Sequence, residues 1–155
     1  MKTKIYVMVC FILGIMATGC LKTSEVKPCT PIPVEQEKAV MQKFATDNAF
    51  NMTTDPSGLM YEILNQGTGA AITTNTNIKM KYIGKNMNGQ KFDEGTTTEF
   101  YPVRNFIVGF QLGLIKLNGG GKVRIITPSS LAYGCAEMAL KNQPLFFEVE
   151  ITEAQ

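Results

Sequence analysis

Histidine and tryptophan are both absent from the 155 residues, and there are only four cysteines. Without histidine the usual base for a serine or cysteine nucleophile is missing, and so is the usual zinc ligand set. Most hydrolase chemistry is excluded on that ground. Charge is sparse as well, at 18% of residues against 45% hydrophobic, the balance of a globular chain with room for one ordinary domain. A phosphate loop is lacking too: Gly119-Gly120-Gly121-Lys122 has neither the preceding glycine at the required spacing nor a Ser or Thr after the lysine. That run reads as a turn leading into a strand. No metal site, cofactor motif, internal repeat or low-complexity tract is visible, which leaves chemistry done by the shape of a binding site.

The first residues read as an export signal. Lys2 and Lys4 form a basic start, Ile5 to Met16 an apolar run too short to span a membrane as a mature helix, and Ala17-Thr18-Gly19 a small-residue cleavage site. With Cys20 directly after Gly19, the segment resembles a bacterial lipoprotein signal, departing from it at Ala17, where Leu is more usual. The resemblance implies that residues 1–19 are removed and that Cys20 is acylated, so that a lipid anchor holds the protein to a membrane of the bacterial cell envelope. Plain cleavage and release is the alternative. Each buried CH₂ of an acyl chain contributes about 0.8 kcal/mol, enough for several chains to anchor the protein without a spanning helix. Loss of Lys2 and Lys4 leaves 13 basic against 13 acidic side chains, which speaks against nucleic acid as a partner. Cys10 leaves with the signal, so Cys29 and Cys135 remain as an even pair in an oxidising compartment, either bridged or as two thiols.

Residues 20–33, with Pro28, Pro31 and Pro33, read as a tether. From Val34 to about Asn48 the pattern is helical, with Val40, Met41, Phe44 and Ala45 on one apolar face, Glu35 and Glu37 in the first turn and Lys43 late. Such a helix packs on the domain or pairs with a second copy. After a polar turn to Ser57 the period changes to two. Leu59, Tyr61 and Ile63 alternate with Met60 and Glu62, and Ile78, Met80 and Tyr82 with Lys79 and Lys81, as half-buried antiparallel strands do. Lys122 to Thr127 and Leu145 to Thr152 add two more, the last with Leu145, Phe147, Val149 and Ile151 inward. Between Asn105 and Leu117 lies a segment apolar nearly all round, read as a short buried helix capped by Asn105.

Five local sequences then fall into a recognisable order: Lys81-Tyr82-Ile83-Gly84, Asn88-Gly89-Gln90-Lys91-Phe92-Asp93, Phe106-Ile107-Val108-Gly109-Phe110, Ser130-Leu131-Ala132-Tyr133-Gly134 and Leu145-Phe146-Phe147-Glu148-Val149-Glu150. Over about Gly58 to Ile151 this resembles the FKBP-type peptidyl-prolyl cis-trans isomerases. The resemblance implies an α+β fold, an antiparallel sheet half wrapped around one short helix, here with an N-terminal helix added. It divides the chain into signal (1–19), tether (20–33), N-terminal helix and turn (34–57) and FKBP-like domain (58–155). It implies a site between helix and sheet in which Tyr82, Asp93 and Tyr133 act on the substrate and Phe92, Tyr101, Phe106, Ile107, Phe110 and Phe147 bind it, with Phe100 the alternative to Tyr101. The Ile107 N–H and the Tyr133 hydroxyl hold substrate carbonyls, and the Asp93 carboxylate polarises the twisted amide. The implied partners are proline-containing segments of exported proteins, with no cofactor and no metal.

Three departures bear on the activity. Phe110 stands where the family usually has Trp at the pocket floor, and the segment from Cys135 to Pro144 is shorter than the family's flap. The loop after Asp93 contains no Arg to pair with it, which leaves Arg104 as the candidate. An FKBP-like lipoprotein of weak or no catalytic activity, serving as a peptide-binding chaperone or an envelope assembly component, is the alternative they motivate.

Overall fold

The computed structural model describes residues 29–155; the signal segment, Cys20 and the tether up to residue 28 lie outside the described residues. From Pro33, extended at φ −60° and ψ 139°, the chain enters helix α1, Val34–Asp47. Glu35 and Glu37 sit in its first turn, where they complement the partial positive charge of the helix start. Asn48 closes the far end by donating its side-chain amide to the Phe44 carbonyl at 2.8 Å. The buried stripe is Glu37, Met41, Phe44 and Ala45. Val40, expected on that face, is exposed instead, because it sits about 100° round the helix from Met41.

Seven strands form one sheet, β1 Thr53–Thr54, β2 Met60–Asn65, β3 Asn77–Asn86, β4 Lys91–Thr96, β5 Tyr101–Pro102, β6 Lys122–Thr127 and β7 Leu145–Ala154. All pairings are antiparallel, in the order β1-β2-β6-β7-β3-β4, and β4 and β5 divide one edge of β3 between them. β1 lies ahead of Gly58, so the sheet begins inside the stretch read as helix and turn.

Period-two alternation puts Leu59, Ile78, Val123, Ile125, Val149 and Ile151 on one face, where they are buried against Phe110, Leu114 and Leu117. The opposite face is buried at its centre as well. Met60, read from the alternation as outward, packs with Ile126 and Phe146 under Met41, Phe44 and Ala45 of α1. Phe50 stacks on Phe146 at 5.3 Å between ring centroids. A helix laid across the middle of a sheet thus turns its solvent positions into core, which explains why Phe146 and Phe147 are adjacent and both buried. Arg124 borders this second core, 4.3 Å over the Phe50 ring and bonded to Glu62 and Glu148.

The apolar segment after Asn105 is shorter as a helix than its composition suggests. Helix α2 runs only from Val108 to Leu114, with Ile107 at its start. Asn105 is not the cap; it ends a 3₁₀ turn, Val103–Asn105. Gln111 reaches back instead, donating its side-chain amide to the Phe106 carbonyl at 2.7 Å. Beyond Leu114 the chain is needed elsewhere: the Leu117 carbonyl accepts the Ile72 N–H at 3.0 Å, and Asn118 bridges Ala71. Nor is the segment buried all round, since Val108 and Ile115 are 52% and 40% exposed. α2 lies close to β6 because Gly109 has no side chain; a Cβ there would fall on Thr127 Oγ1 and 2.6 Å from Thr127 Cβ.

Candidate functional site

Where α2 meets the β3–β4 end of the sheet, a cleft of about 450 Å³ opens. Its floor is aromatic. Phe110 of α2 and Phe147 of β7, each only 5% exposed, meet edge to face with centroids 5.2 Å apart at 84°. Phe106 continues the floor at 5.1 Å from Phe110. Such contacts are favourable because the positive ring edge faces the negative ring face, by about 0.5 to 1.5 kcal/mol beyond area burial.

One wall comes from a β-bulge. Gly84 pairs with Asp93 but Lys85 with Lys91, so Phe92 is an extra residue in β4. A bulge re-aims the side chains next to it, and here Asp93 lines the cleft while Phe92 turns behind it. Phe92 was expected to line the site and does not. It packs perpendicular to Phe147 at 5.8 Å, in space left by Gly84, where a Cβ would stand 2.7 Å from the Phe92 ring. Its role is to hold Phe147 from the rear.

Tyr82 of β3 donates its hydroxyl to Asp93 Oδ2 at 3.0 Å. Burial, and then the hydrogen bond to Asp93 with the carboxylate's charge, raise the Tyr82 ionisation above the ordinary tyrosine range, so it remains a protonated donor. Arg104 does not compensate Asp93. Its turn is tied down by the Arg104 N–H bonded to the Thr74 carbonyl at 2.9 Å, and its guanidinium faces Asn75 Oδ1 at 3.5 Å.

The other wall holds Tyr101, exposed on the rim, and the run Asn105, Phe106 and Ile107. Ile107 is extended, at φ −57° and ψ 150°, just before the helix. The Phe106 N–H returns to Val103 and the Ile107 carbonyl serves Gln111, which leaves the Ile107 N–H without a protein acceptor among the described residues. Tyr133 completes the cleft from the loop between β6 and β7. That loop is fastened twice to residues that precede the sheet in sequence. Glu37 of α1, buried, accepts the Ser129 N–H at 2.8 Å, and Cys135 is disulfide-bonded to Cys29 with Cα atoms 5.4 Å apart. The sequence left the pair open between bridge and thiols; the structure shows the bridge.

Met80, Thr97 and Asn105 also line the cleft and were not singled out from the sequence as site residues. Met80 was legible, since alternation along β3 puts it on the face of Tyr82. Thr97 was not: it enters because its hydroxyl accepts the Met80 N–H at 2.9 Å beyond the end of β4, a contact with no local signal.

The model of the FKBP-type peptidyl-prolyl cis-trans isomerase family matches residues 69–152. The chain belongs to that family. It is 36% identical over 121 residues to FK506-binding protein 4 of Dictyostelium discoideum, covering 74% of this chain and 33% of that protein. It is similar to the crystal structure of FkpA from Escherichia coli at TM-score 0.68 and 26% identity, covering 78% of this chain and 58% of the other. The crystal structure of the peptidyl-prolyl cis-trans isomerase from Pseudomonas syringae matches at TM-score 0.64 and 26% identity, over 81% of this chain and 98% of that one. Against the curated relatives it matches, the chain spans between a third and about half of their length. The FKBP-type fold therefore includes the cleft, while helix α1 and the disulfide-bonded Cys29 lie ahead of the matched residues.

Proposed function

We propose that this chain is a peptidyl-prolyl cis-trans isomerase that rotates X-Pro bonds in exported proteins, held at a membrane of the bacterial cell envelope by a lipid on Cys20. The observation that carries the isomerase reading is the cleft itself: an aromatic floor of Phe110 and Phe147 with Tyr82, Asp93, Ile107 and Tyr133 gathered round it. The barrier to rotation is about 18 to 20 kcal/mol because resonance makes the amide planar and dipolar, and water stabilises that planar form. Seating the proline ring on Phe110 and Phe147 strips water from the amide oxygen and so favours the twisted, less conjugated transition state. No acid or base is needed. The free Ile107 N–H and the Tyr133 hydroxyl hold the flanking carbonyls, and the Asp93 carboxylate, oriented by Tyr82, polarises the twisted group.

A second reading, peptide binding without catalysis, is favoured by one observation: Asp93 has the Tyr82 hydroxyl but, among the described residues, no cation beside it in the cleft. Cis-to-trans exchange of an Xaa-Pro peptide, followed by NMR, separates the two. Acceleration over the uncatalysed rate, which runs at tens to hundreds of seconds, is the expected result. Binding with no acceleration makes the protein a chaperone. Tyr133→Phe removes one hydrogen bond without altering packing, and is expected to slow the catalysed exchange about two- to tenfold. An unchanged rate in that variant removes Tyr133 from the mechanism.

Support for the anchor is the sequence of residues 1–20. Mass spectrometry of membrane-extracted protein is expected to find a chain beginning at Cys20 and carrying acyl groups. A chain still beginning at Met1, or an unmodified Cys20, contradicts it.

A further inference from the structure

We infer that Asp93 makes this cleft select prolines flanked by a lysine or arginine, an inference that rests on the isomerase reading above. Among the described side chains lining the cleft, Asp93 is the one carboxylate, and no lysine or arginine joins it. The chain has two arginines, Arg104 and Arg124. Arg104 is turned to Asn75, and Arg124 is spent on Glu62 and Glu148 at the border of the second core. Lys91, two residues from Asp93, pairs with Glu94. The Tyr82 hydroxyl gives Asp93 a hydrogen bond but no charge. The carboxylate is thus left to a cation brought by the substrate.

The rings round it act in the same sense. Tyr82, Tyr101 and Tyr133 line the cleft, and aromatic faces attract ammonium and guanidinium groups. That attraction is already in use elsewhere in the protein, with Lys79 Nζ 4.6 Å above the Phe100 ring next to Tyr101. A lysine or arginine beside a bound proline therefore gains an ion pair and a ring face at once, whereas a glutamate meets an uncompensated carboxylate. Asp93 is exposed, so solvent keeps each effect in the range of a surface pair, a few-fold in rate or affinity for each sign.

The test compares kcat/KM for four Xaa-Pro peptides, with lysine, norleucine, glutamine or glutamate at Xaa, and a second set with the variable residue after the proline. The full protein is used at low salt. The expected result, in at least one set, is a lysine peptide favoured over its glutamate counterpart about fivefold, with norleucine and glutamine between them. The ratio shrinks as salt is raised, since exposed charges are screened. Asp93→Asn keeps the shape and can still accept from Tyr82; it is expected to bring the lysine-to-glutamate ratio close to one. Because that ratio is taken within one protein, any general loss of rate in the variant cancels. Equal values for lysine and glutamate in the unaltered protein, or a preference that survives Asp93→Asn, overturns the inference. Should no peptide be isomerised, the isomerase reading fails separately, and the same peptides titrated by NMR give a ratio of Kd values judged by the same two criteria.

Discussion

Reduction of the Cys29–Cys135 bond is expected to remove up to about 4.7 kcal/mol of stability. The bridge joins positions 106 residues apart, so in the unfolded chain it closes a loop that includes α1 and most of the sheet. On the chain-entropy model a loop of about that length accounts for the figure given. Domains of this kind are stable by about 5 to 15 kcal/mol, so the bridge holds a large share of the margin. Urea unfolding with and without a dithiol, and of the Cys29→Ser/Cys135→Ser variant, measures it. The midpoint should fall, and the slope should rise because the unlinked unfolded chain exposes more surface. A midpoint unmoved by reduction refutes the assignment.

The folded chain is expected to survive that loss, for a structural reason. Residues near the start hold the loop before β7 by a second route, the buried Glu37 carboxylate bonded to the Ser129 N–H. α1 is itself sunk into the second core through Met41, Phe44 and Ala45. Tyr133 stands between these two fastenings, four residues after Ser129 and two before Cys135. The N-terminal helix is therefore part of what positions the cleft, even though the family match begins at residue 69.

How much of this was legible depended on whether the signal was local. Strands β3, β6 and β7 announced themselves through alternation, because each has a buried side whose pattern repeats every second residue. The set of cleft residues was legible from the order of five short motifs, and Tyr82, Asp93, Phe110, Tyr133 and Phe147 do converge. What failed were assignments decided by distant neighbours. Met60 was read as outward because alternation says nothing of a helix that covers the far face. Phe92 was placed in the cleft because a bulge shifts its direction without leaving a mark on the sequence. Asn105 looked like a cap by residue type, yet at the start of α2 it is Gln111 that reaches back, while the pairing of Leu117 and Asn118 elsewhere limits the helix at its far end. Arg104 was offered to Asp93 by charge alone, and Thr74 and Asn75 held it elsewhere.

Phe147→Ala is expected to cost about 3 to 5 kcal/mol, the range for deleting a buried aromatic side chain. The ring is the common neighbour of Phe92 behind and Phe110 in front, at 5.8 and 5.2 Å, so its removal orphans two aromatic contacts at once. Collapse into the gap is opposed from both sides, because β7 is paired along its length with β6 and β3, opposite Ile125 and Gly84 at this position. Equilibrium unfolding reads the loss, and a cost below about 1 kcal/mol contradicts the packing described. Since a variant this weakened tests folding and floor together, Phe147→Leu separates them. It keeps most of the volume at a cost of about 1.5 kcal/mol or less, while the edge-to-face contact with Phe110 is lost. If the proline ring sits on these two phenylalanines, the leucine variant remains folded and exchanges X-Pro bonds more slowly. A folded leucine variant with the full rate places the proline elsewhere in the cleft, and with it the source of the desolvation that the mechanism requires.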